Sequence, residues 1–137
     1  MQGLSPISTD AILSDAQTLP ASATNVNSTN SVFIGGNSSG ELAVSIFAHT
    51  DISIADSKAL TIAVLGGTTA TATTATYRKI YDRTASGAVI AFSAGDLIAS
   101  FIIPKDFYDS FDYIRLNYAV TASESSESVD ALVHITQ

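Results

Sequence analysis

Short apolar runs, separated by connectors rich in Ser, Thr, Gly and Asn, are the feature that most constrains the fold of this chain. Within most runs the apolar residues alternate with polar or small ones, so that Leu42, Val44 and Ile46 share one side of their run. This alternation is typical of half-buried antiparallel strands and indicates an all-β sandwich or barrel. The predicted strands, about eight in number as in such folds, lie at residues 31–34, 41–48, 59–65, 73–81, 88–92, 97–103, 113–121 and 129–135.

The chain divides into an N-terminal arm and a strand-rich domain. Its 137 residues suit one domain with one hydrophobic core. Residues 1–30 hold isolated apolar residues among polar ones, so we predict an extended arm and loop there. A short helical turn is predicted over residues 15–17, ending before Pro20. Residues 31–137 are predicted to form the β-domain, with at most one further helical turn at residues 104–111.

The charge composition argues against several classes of partner. The net charge is −7, and the six Lys and Arg residues are too few for the basic surface that nucleic-acid binding requires. The same negative charge opposes binding to an acidic membrane surface, and no apolar run reaches the roughly 18 residues of a membrane span. Charged residues make up only 14% of the chain, against roughly 25% in typical domains. This low charge favours a protein that is packed against other copies or another surface.

Cysteine content and the N-terminal sequence bear on redox chemistry and on export. The chain has no cysteine, which excludes disulfides, thiolate nucleophiles and thiolate metal ligands. The first ten residues lack the basic region and apolar run of a secretory signal. We therefore expect synthesis without export, in the cytoplasm of the cell that makes the protein.

Asp106, Asp109 and Asp112 recur at every third residue and raise the question of a calcium site. The segment lacks the alternate-residue ligands and the glycine of a calcium loop. Aromatic residues, among them Phe107 and Phe111, lie between the acids. We therefore favour an amphipathic turn that buries the rings and exposes the acids, and we predict no metal site.

The sequence contains no recognisable catalytic motif. His49 and His134 are the only histidines, and the chain has no Gly-x-Ser-x-Gly motif. Two histidines without a further ligand pattern do not indicate a zinc site. The glycines at 35–36 and 66–67 lack the helix and lysine of a phosphate-binding loop, so we interpret them as hairpin turns. We expect neither an enzymatic activity nor a cofactor.

The aromatic residues Tyr77, Tyr81, Phe92 and Tyr113 leave two interpretations open. One is a platform on which sugar rings stack, as in a carbohydrate-binding β-sandwich of a fibre or adhesin. The other is pairing of aromatic rings across strands, in the core or at a subunit interface. We favour pairing because the chain has no Trp, the strongest stacking residue.

Three segments, taken in order, resemble a known family. They are Leu-Ser-Asp-Ala-Gln-Thr-Leu at 13–19, Gly-Asp-Leu-Ile-Ala-Ser-Phe-Ile-Ile-Pro at 95–104 and Tyr-Ile-Arg-Leu-Asn-Tyr-Ala-Val-Thr at 113–121, followed by Val-Asp-Ala at 129–131. Their order and spacing resemble the small jelly-roll cement, or decoration, proteins of tailed bacteriophage heads. The resemblance covers most of the chain.

The resemblance implies an antiparallel jelly-roll β-sandwich without catalytic residues or cofactors. It also implies a homo-oligomer on the outer surface of the virion capsid, where it clamps neighbouring major capsid proteins. A trimer at three-fold positions is slightly favoured over a dimer at two-fold positions. The arm is the expected strap, and Leu4, Ile7, Ile12 and Leu13 are its candidate capsid contacts, expected to become ordered on the shell. A carbohydrate-binding β-sandwich remains the alternative function.

Overall fold

The computed structural model describes residues 11–20, 24–35, 42–71, 73, 75–121 and 127–135. Within these residues the chain forms eleven strands and one short helix. The elements in chain order are β1 (Ile12–Thr18), β2 (Thr24–Asn27), β3 (Val32–Phe33), β4 (Leu42–Ala48), β5 (Ile52–Ile54), β6 (Ala59–Gly67), β7 (Ala75–Thr84), β8 (Ile90–Phe92), β9 (Leu97–Ile102), α1 (Lys105–Ser110), β10 (Tyr113–Val120) and β11 (Ser128–Ile135). All the strand pairings are antiparallel. The prediction of an all-β fold is confirmed.

The strands form two main sheets. Sheet A has the strand order β1-β11-β4-β9, and sheet B has the order β2-β10-β6-β7, with the short β3 also pairing with β10. A small third sheet consists of β5 and β8.

The pairings are nested along the chain. β1 pairs with β11, β2 and β3 pair with β10, β4 pairs with β9, β5 pairs with β8, and β6 pairs with β7. The described chain therefore follows the path of one long antiparallel hairpin, whose tip lies between β6 and β7. Two further pairings, of β10 with β6 and of β11 with β4, roll this hairpin into two layers.

Alternate side chains of the two sheets share one hydrophobic core. On β10 the even-numbered residues Ile114, Leu116, Tyr118 and Val120 are at most 1% exposed, and they belong to one cluster with residues of β4, β6 and β11. The odd-numbered residues of β10 are only half-buried. Since each fully buried large aliphatic side chain contributes roughly 1.5–3 kcal/mol relative to an exposed one, this shared core holds the two layers together.

A chain of hydrogen bonds, buried at Tyr118 and Ser14, also joins the two layers. The Tyr118 hydroxyl on β10 lies 2.8 Å from Ser14 Oγ on β1, and Ser14 Oγ donates to Gln17 Oε1 at 2.6 Å. The single hydroxyl proton of Ser14 is donated to Gln17, so the Tyr118 hydroxyl, whose pKa is raised by burial, donates to Ser14. Gln17 then connects to the chain beside β2, because its Oε1 accepts from Thr29 N–H and its amide donates to the Asn27 carbonyl, both at 2.8 Å.

Ser14→Ala is expected to lower the free energy of unfolding by about 1–3 kcal/mol, because it leaves a buried hydroxyl without an acceptor. Tyr118→Phe is expected to cost less, about 1 kcal/mol, because it removes that hydroxyl while Ser14 keeps its bond to Gln17. Urea denaturation of both variants and of the double variant measures the coupling. If the double variant lost as much free energy of unfolding as the two single variants together, Ser14 and Tyr118 would not be coupled.

β1 departs from the sequence prediction. Residues 15–17 lie in this strand, so the predicted helical turn is wrong, and β1 and β2 belong to the two sheets instead of extending as an arm. The register between β1 and β11 is irregular on both sides of Ser14, and Ala16 has a φ of 50°. These irregularities interrupt the alternation that identifies a strand. Leu13, which is fully buried, nevertheless fixes the strand to the core.

The short helix α1 packs against one end of sheet B. Pro104 precedes it and Asp106 lies in its first turn, while Phe107 is fully buried. Phe111 lies so close to Gly66 of β6 that a Cβ at this glycine would collide with the ring. The absence of a side chain at Gly66 makes room for the ring. Gly66 lies near the end of β6, so the predicted hairpin turn at this position is wrong. Across the described residues, no helix is long and apolar enough to cross a membrane.

Candidate binding surfaces

The candidate capsid contacts of the N-terminal segment lie in different environments. Leu4 and Ile7 are outside the described residues. Leu13 is fully buried in the core of its own chain, so this conformation does not offer it to a partner. Ile12 is half-buried and pairs with Leu132 on the side of sheet A that points away from the core. Of the two described candidates, Ile12 is the one that reaches an outer surface.

The three aspartates near α1 do not converge on a common point. Asp106 accepts a hydrogen bond from the Tyr77 hydroxyl at 2.7 Å, which raises the pKa of that hydroxyl. Asp109 accepts from the Lys105 ammonium at 3.0 Å. All three aspartates are exposed, and no cluster of three or more His, Cys, Asp or Glu that could hold a metal ion occurs among the described residues.

The two histidines belong to separate hydrogen-bonded pairs. His49 Nδ1 lies 2.9 Å from Asp130 Oδ2. His134 Nε2 lies 2.8 Å from Ser45 Oγ, and its Nδ1 lies 3.2 Å from the carbonyl oxygen of Ile135. Because a carbonyl oxygen only accepts, Nδ1 of His134 carries the proton and Nε2 accepts from the Ser45 hydroxyl. This pair could not be predicted from the sequence, since it depends on the register of β4 against β11.

In the Ser45–His134 pair the hydroxyl donates to the imidazole, as a nucleophile does to its base. The described residues around the pair do not add the other groups of a catalytic triad. Within the described residues no carboxylate bonds to His134, and Asp130 is engaged with His49. Ser45 lies in the middle of β4, which is paired on both sides, with β11 and β9. The backbone N–H groups beside Ser45 are therefore committed to the sheet and do not form an oxyanion hole. The pair satisfies two buried polar side chains.

The aromatic residues considered as a sugar platform occupy separate places. They form T-shaped pairs, whose ring-centroid distances are 5.1 Å for Tyr77–Phe107, 6.0 Å for Tyr81–Phe92 and 5.3 Å for Phe33–Tyr113. Tyr77, Tyr81 and Phe92 pack against the core cluster. Rings are thus paired rather than arranged in one platform, and only the pair of Phe33 and Tyr113 lies on an outer surface.

The side of sheet A that points away from the core, which we call the apolar face, has no Lys or Arg on its four strands, although it also carries Ser45, Asp130 and His134. Its apolar side chains alternate with the core residues of β1, β11, β4 and β9, and they are Ile12, Leu132, Ala43, Phe47, Leu97 and Ile102. Ala43, Phe47 and Leu132 are buried, whereas Leu97 and Ile102 on the edge strand β9 are 52% and 59% exposed. β9 contains no charged residue. An uncharged edge strand with exposed aliphatic side chains is suited to contact with another chain.

The outer surface of sheet B is polar. On β10, the Asn117 amide donates to Asn27 Oδ1 at 2.8 Å and to Asn25 Oδ1 at 3.1 Å on β2. Nearer the start of β10, Tyr113 and Arg115 line a depression that we call the arginine depression. Its lining residues are Thr29, Asn30, Ser31, Phe33, Ala70, Thr71, Tyr113 and Arg115.

The apolar face and the arginine depression belong to different layers of the described chain. The apolar face lies on sheet A, and the arginine depression lies on sheet B. Comparison of the chain with models of known protein families and with curated proteins gives no match.

Proposed function

We propose that the protein is a structural protein that decorates and cements a bacteriophage capsid, binding the outside of the shell as a homo-oligomer. The observation that carries this proposal is the apolar face, with Leu97 and Ile102 exposed on an uncharged edge strand. The resemblance to phage cement proteins supports it, and its three longer segments coincide with β1, β9 and β10. The partner is the major capsid protein.

The jelly-roll fold is part of the same proposal. When β3, β5 and β8, of two or three residues each, are left out, eight strands remain in the two sheets. Numbered along the chain, these strands have the orders 1-8-3-6 and 2-7-4-5, with the nested pairs 1·8, 2·7, 3·6 and 4·5. A long hairpin rolled into two packed sheets is the arrangement expected of a jelly roll.

A rigid two-layered domain suits a cementing role. Packaged DNA presses outward on the shell and pulls neighbouring capsomers apart. A homo-oligomer that contacts several capsid subunits gains effective concentration for each contact after the first. Individually weak contacts therefore add up to firm attachment. As the oligomer, a trimer at three-fold positions of the shell is slightly favoured over a dimer at two-fold positions.

Within this proposal the apolar face supplies the contact with the capsid. Leu97 and Ile102 lose their exposure to water there, which stabilises the complex. Ile12 borders the same face on β1, whereas Leu13 contributes only to the core. Leu4 and Ile7, which precede Ile12 in the sequence, remain proposed contacts.

Purified protein is expected to co-sediment with phage heads that lack it, saturating at a fixed ratio to the major capsid protein and raising the thermal stability of the heads. The double variant Leu97→Asp/Ile102→Asp is expected to bind the heads at least about tenfold more weakly, because burial of two carboxylates replaces burial of two aliphatic side chains. Sedimentation of heads at a series of protein concentrations measures both effects.

Val89→Asp is the matched control, because Val89 is a 56% exposed aliphatic residue outside the apolar face. It is expected to bind heads like the unmodified protein. Equal binding by the double variant and by the control would remove the apolar face from the proposed contact. Failure of the unmodified protein to bind heads, before and after their expansion, would overturn the capsid function.

A carbohydrate-binding role is the second candidate. It is favoured by the arginine depression, which lies on the other layer and is not used in the proposed capsid contact.

A further inference from the structure

The arginine depression is a concave site that the proposed capsid contact leaves free. It has a volume of about 640 Å³, within the roughly 300–1,000 Å³ typical of small-molecule sites. Strand β10 forms its floor, the chain around residues 29–31 forms one wall, and residues 70–71 form another.

Arg115 is held in a fixed orientation in this depression. Its Nε donates to the carbonyl oxygen of Ser28 at 2.7 Å, and its Nη2 lies 3.4 Å from the carbonyl oxygen of Thr29. Both acceptors are neutral, and no carboxylate among the described residues forms an ion pair with this guanidinium. Its positive charge is therefore uncompensated by an ion pair in the described chain.

The two carbonyls occupy one side of the guanidinium, and no hydrogen bond to its end is formed by the residues that the structure describes. A guanidinium has five N–H donors, of which Nε–H and one on Nη2 face the carbonyls. The two Nη1 donors and the second Nη2 donor remain, and the outward one on each nitrogen forms the end-on fork that matches a carboxylate. The anchoring carbonyls hold this fork in place before a ligand arrives, which lowers the entropic cost of binding.

The remaining walls fit a sugar ring. Phe33 is 59% exposed and packs edge-on against Tyr113 with their centroids 5.3 Å apart, so an apolar ring surface faces the solvent. Thr29 and Thr71, which carry hydroxyl groups, are among the lining residues. The Ser31 hydroxyl donates to the Ala70 carbonyl at 2.9 Å, and its oxygen keeps acceptor capacity for a ligand hydroxyl.

We propose that the arginine depression binds a sugar acid, that is, a pyranose ring that carries a carboxylate. The carboxylate takes the free fork of Arg115, the apolar face of the ring packs on Phe33 and Tyr113, and the ring hydroxyls bond to the hydroxyl-bearing wall. A net charge of −7 opposes the approach of an extended polyanion. A single charged ring is therefore favoured over an acidic polymer or an acidic protein segment.

Isothermal titration of the full chain with methyl β-D-glucuronide and with the methyl glycoside of N-acetylneuraminic acid tests this proposal. At least one of them is expected to bind with a Kd of about a millimolar or tighter. The neutral methyl β-D-glucoside and acetate, which each carry half of the recognised chemistry, are expected to bind at least about tenfold more weakly. The two acids distinguish a uronic acid from a sialic-acid type of ligand.

Arg115→Met is expected to weaken binding of the sugar acid at least about tenfold, because it removes the fork. Arg83→Met is the matched control, since Arg83 is an exposed arginine on β7 outside the depression, and its binding is expected to be unchanged. Phe33→Ala tests the wall without touching Arg115 or its anchors. Circular dichroism establishes that each variant is folded, and Arg115→Lys replaces Arg115→Met if the latter is not.

Equal binding of the glucoside and the glucuronide, or unchanged binding in Arg115→Met, would overturn the proposal. Absence of binding by both sugar acids would also overturn the proposal. If a glutamate-containing peptide bound instead, the depression would be assigned to a protein partner. None of these outcomes affects co-sedimentation with phage heads, so the two proposals fail independently.

Discussion

Leu13→Ala is expected to lower the free energy of unfolding by about 2–5 kcal/mol. Leu13 is fully buried in the cluster that both sheets share, so truncation to Ala removes buried methyl groups and leaves a cavity. β1 is an edge strand with an irregular register against β11. Its attachment therefore depends strongly on this side chain, and urea denaturation measures the loss.

Leu97→Ala is the control for this prediction, because it makes the same chemical change at a leucine that is 52% exposed. It is expected to cost less than about 1 kcal/mol, since little buried surface is lost. Similar effects of the two substitutions would contradict the position of Leu13 in the core. They would restore the interpretation of this segment as an arm that becomes ordered only on a partner.

Regular strands could be predicted from the sequence, and irregular ones could not. β10 alternates between half-buried and buried residues along its whole length, so its period of two is visible in the sequence. In β1 the register shifts around Ser14, and two consecutive residues, Leu13 and Ser14, are both buried. The strand then has neither the period of a strand nor that of a helix. Its polar residues instead matched the signals for a loop with a short turn.

The sequence pattern also did not predict that residues on both sides of a strand would be buried. On β4 the alternation predicts that Val44 and Ile46 share one side, and both belong to the core. Ser45 and Phe47, on the opposite side of the same strand, are buried as well. Alternation predicts which residues share a side, but only the assembled sheet shows how much of each side is covered.

The arginine depression could not be predicted because it combines three distant parts of the chain. Phe33 lies opposite Tyr113 only through the pairing of β3 with β10. Arg115 is held by carbonyls more than eighty residues earlier in the chain. The sequence did carry one signal, since Tyr113, Arg115 and Asn117 occupy the outward positions of a strongly alternating strand. Such a row of polar and aromatic side chains on the outward side of one strand indicates a candidate binding surface.

The amphipathic turn near α1 was predicted from its composition, and its dependence on one aromatic ring follows from the structure. Phe107 is fully buried, with its ring centroid 5.1 Å from that of Tyr77 and 5.0 Å from that of Phe111. α1 is only six residues long and has no side-chain hydrogen bond at its N-cap. A helix of this length does not form alone, so its packing through Phe107 maintains it.

Phe107→Ala is expected to lower the free energy of unfolding by about 3–5 kcal/mol, because it removes the ring from the core and leaves a cavity. Phe33→Ala makes the same change at an exposed ring and is expected to cost about 0.5–1.5 kcal/mol, the contribution of one edge-on aromatic pair. Urea denaturation of the two variants gives the comparison.

Hydrogen exchange adds a local measurement to this prediction. The N–H of Phe111 donates to the carbonyl of Phe107 at 2.9 Å and so reports on the end of α1. In Phe107→Ala this amide is expected to exchange faster than the amides of β10, because α1 loses its anchor while the core strands remain paired. Unchanged protection of Phe111, together with a loss no larger than that of Phe33→Ala, would show that α1 is held by contacts other than this ring.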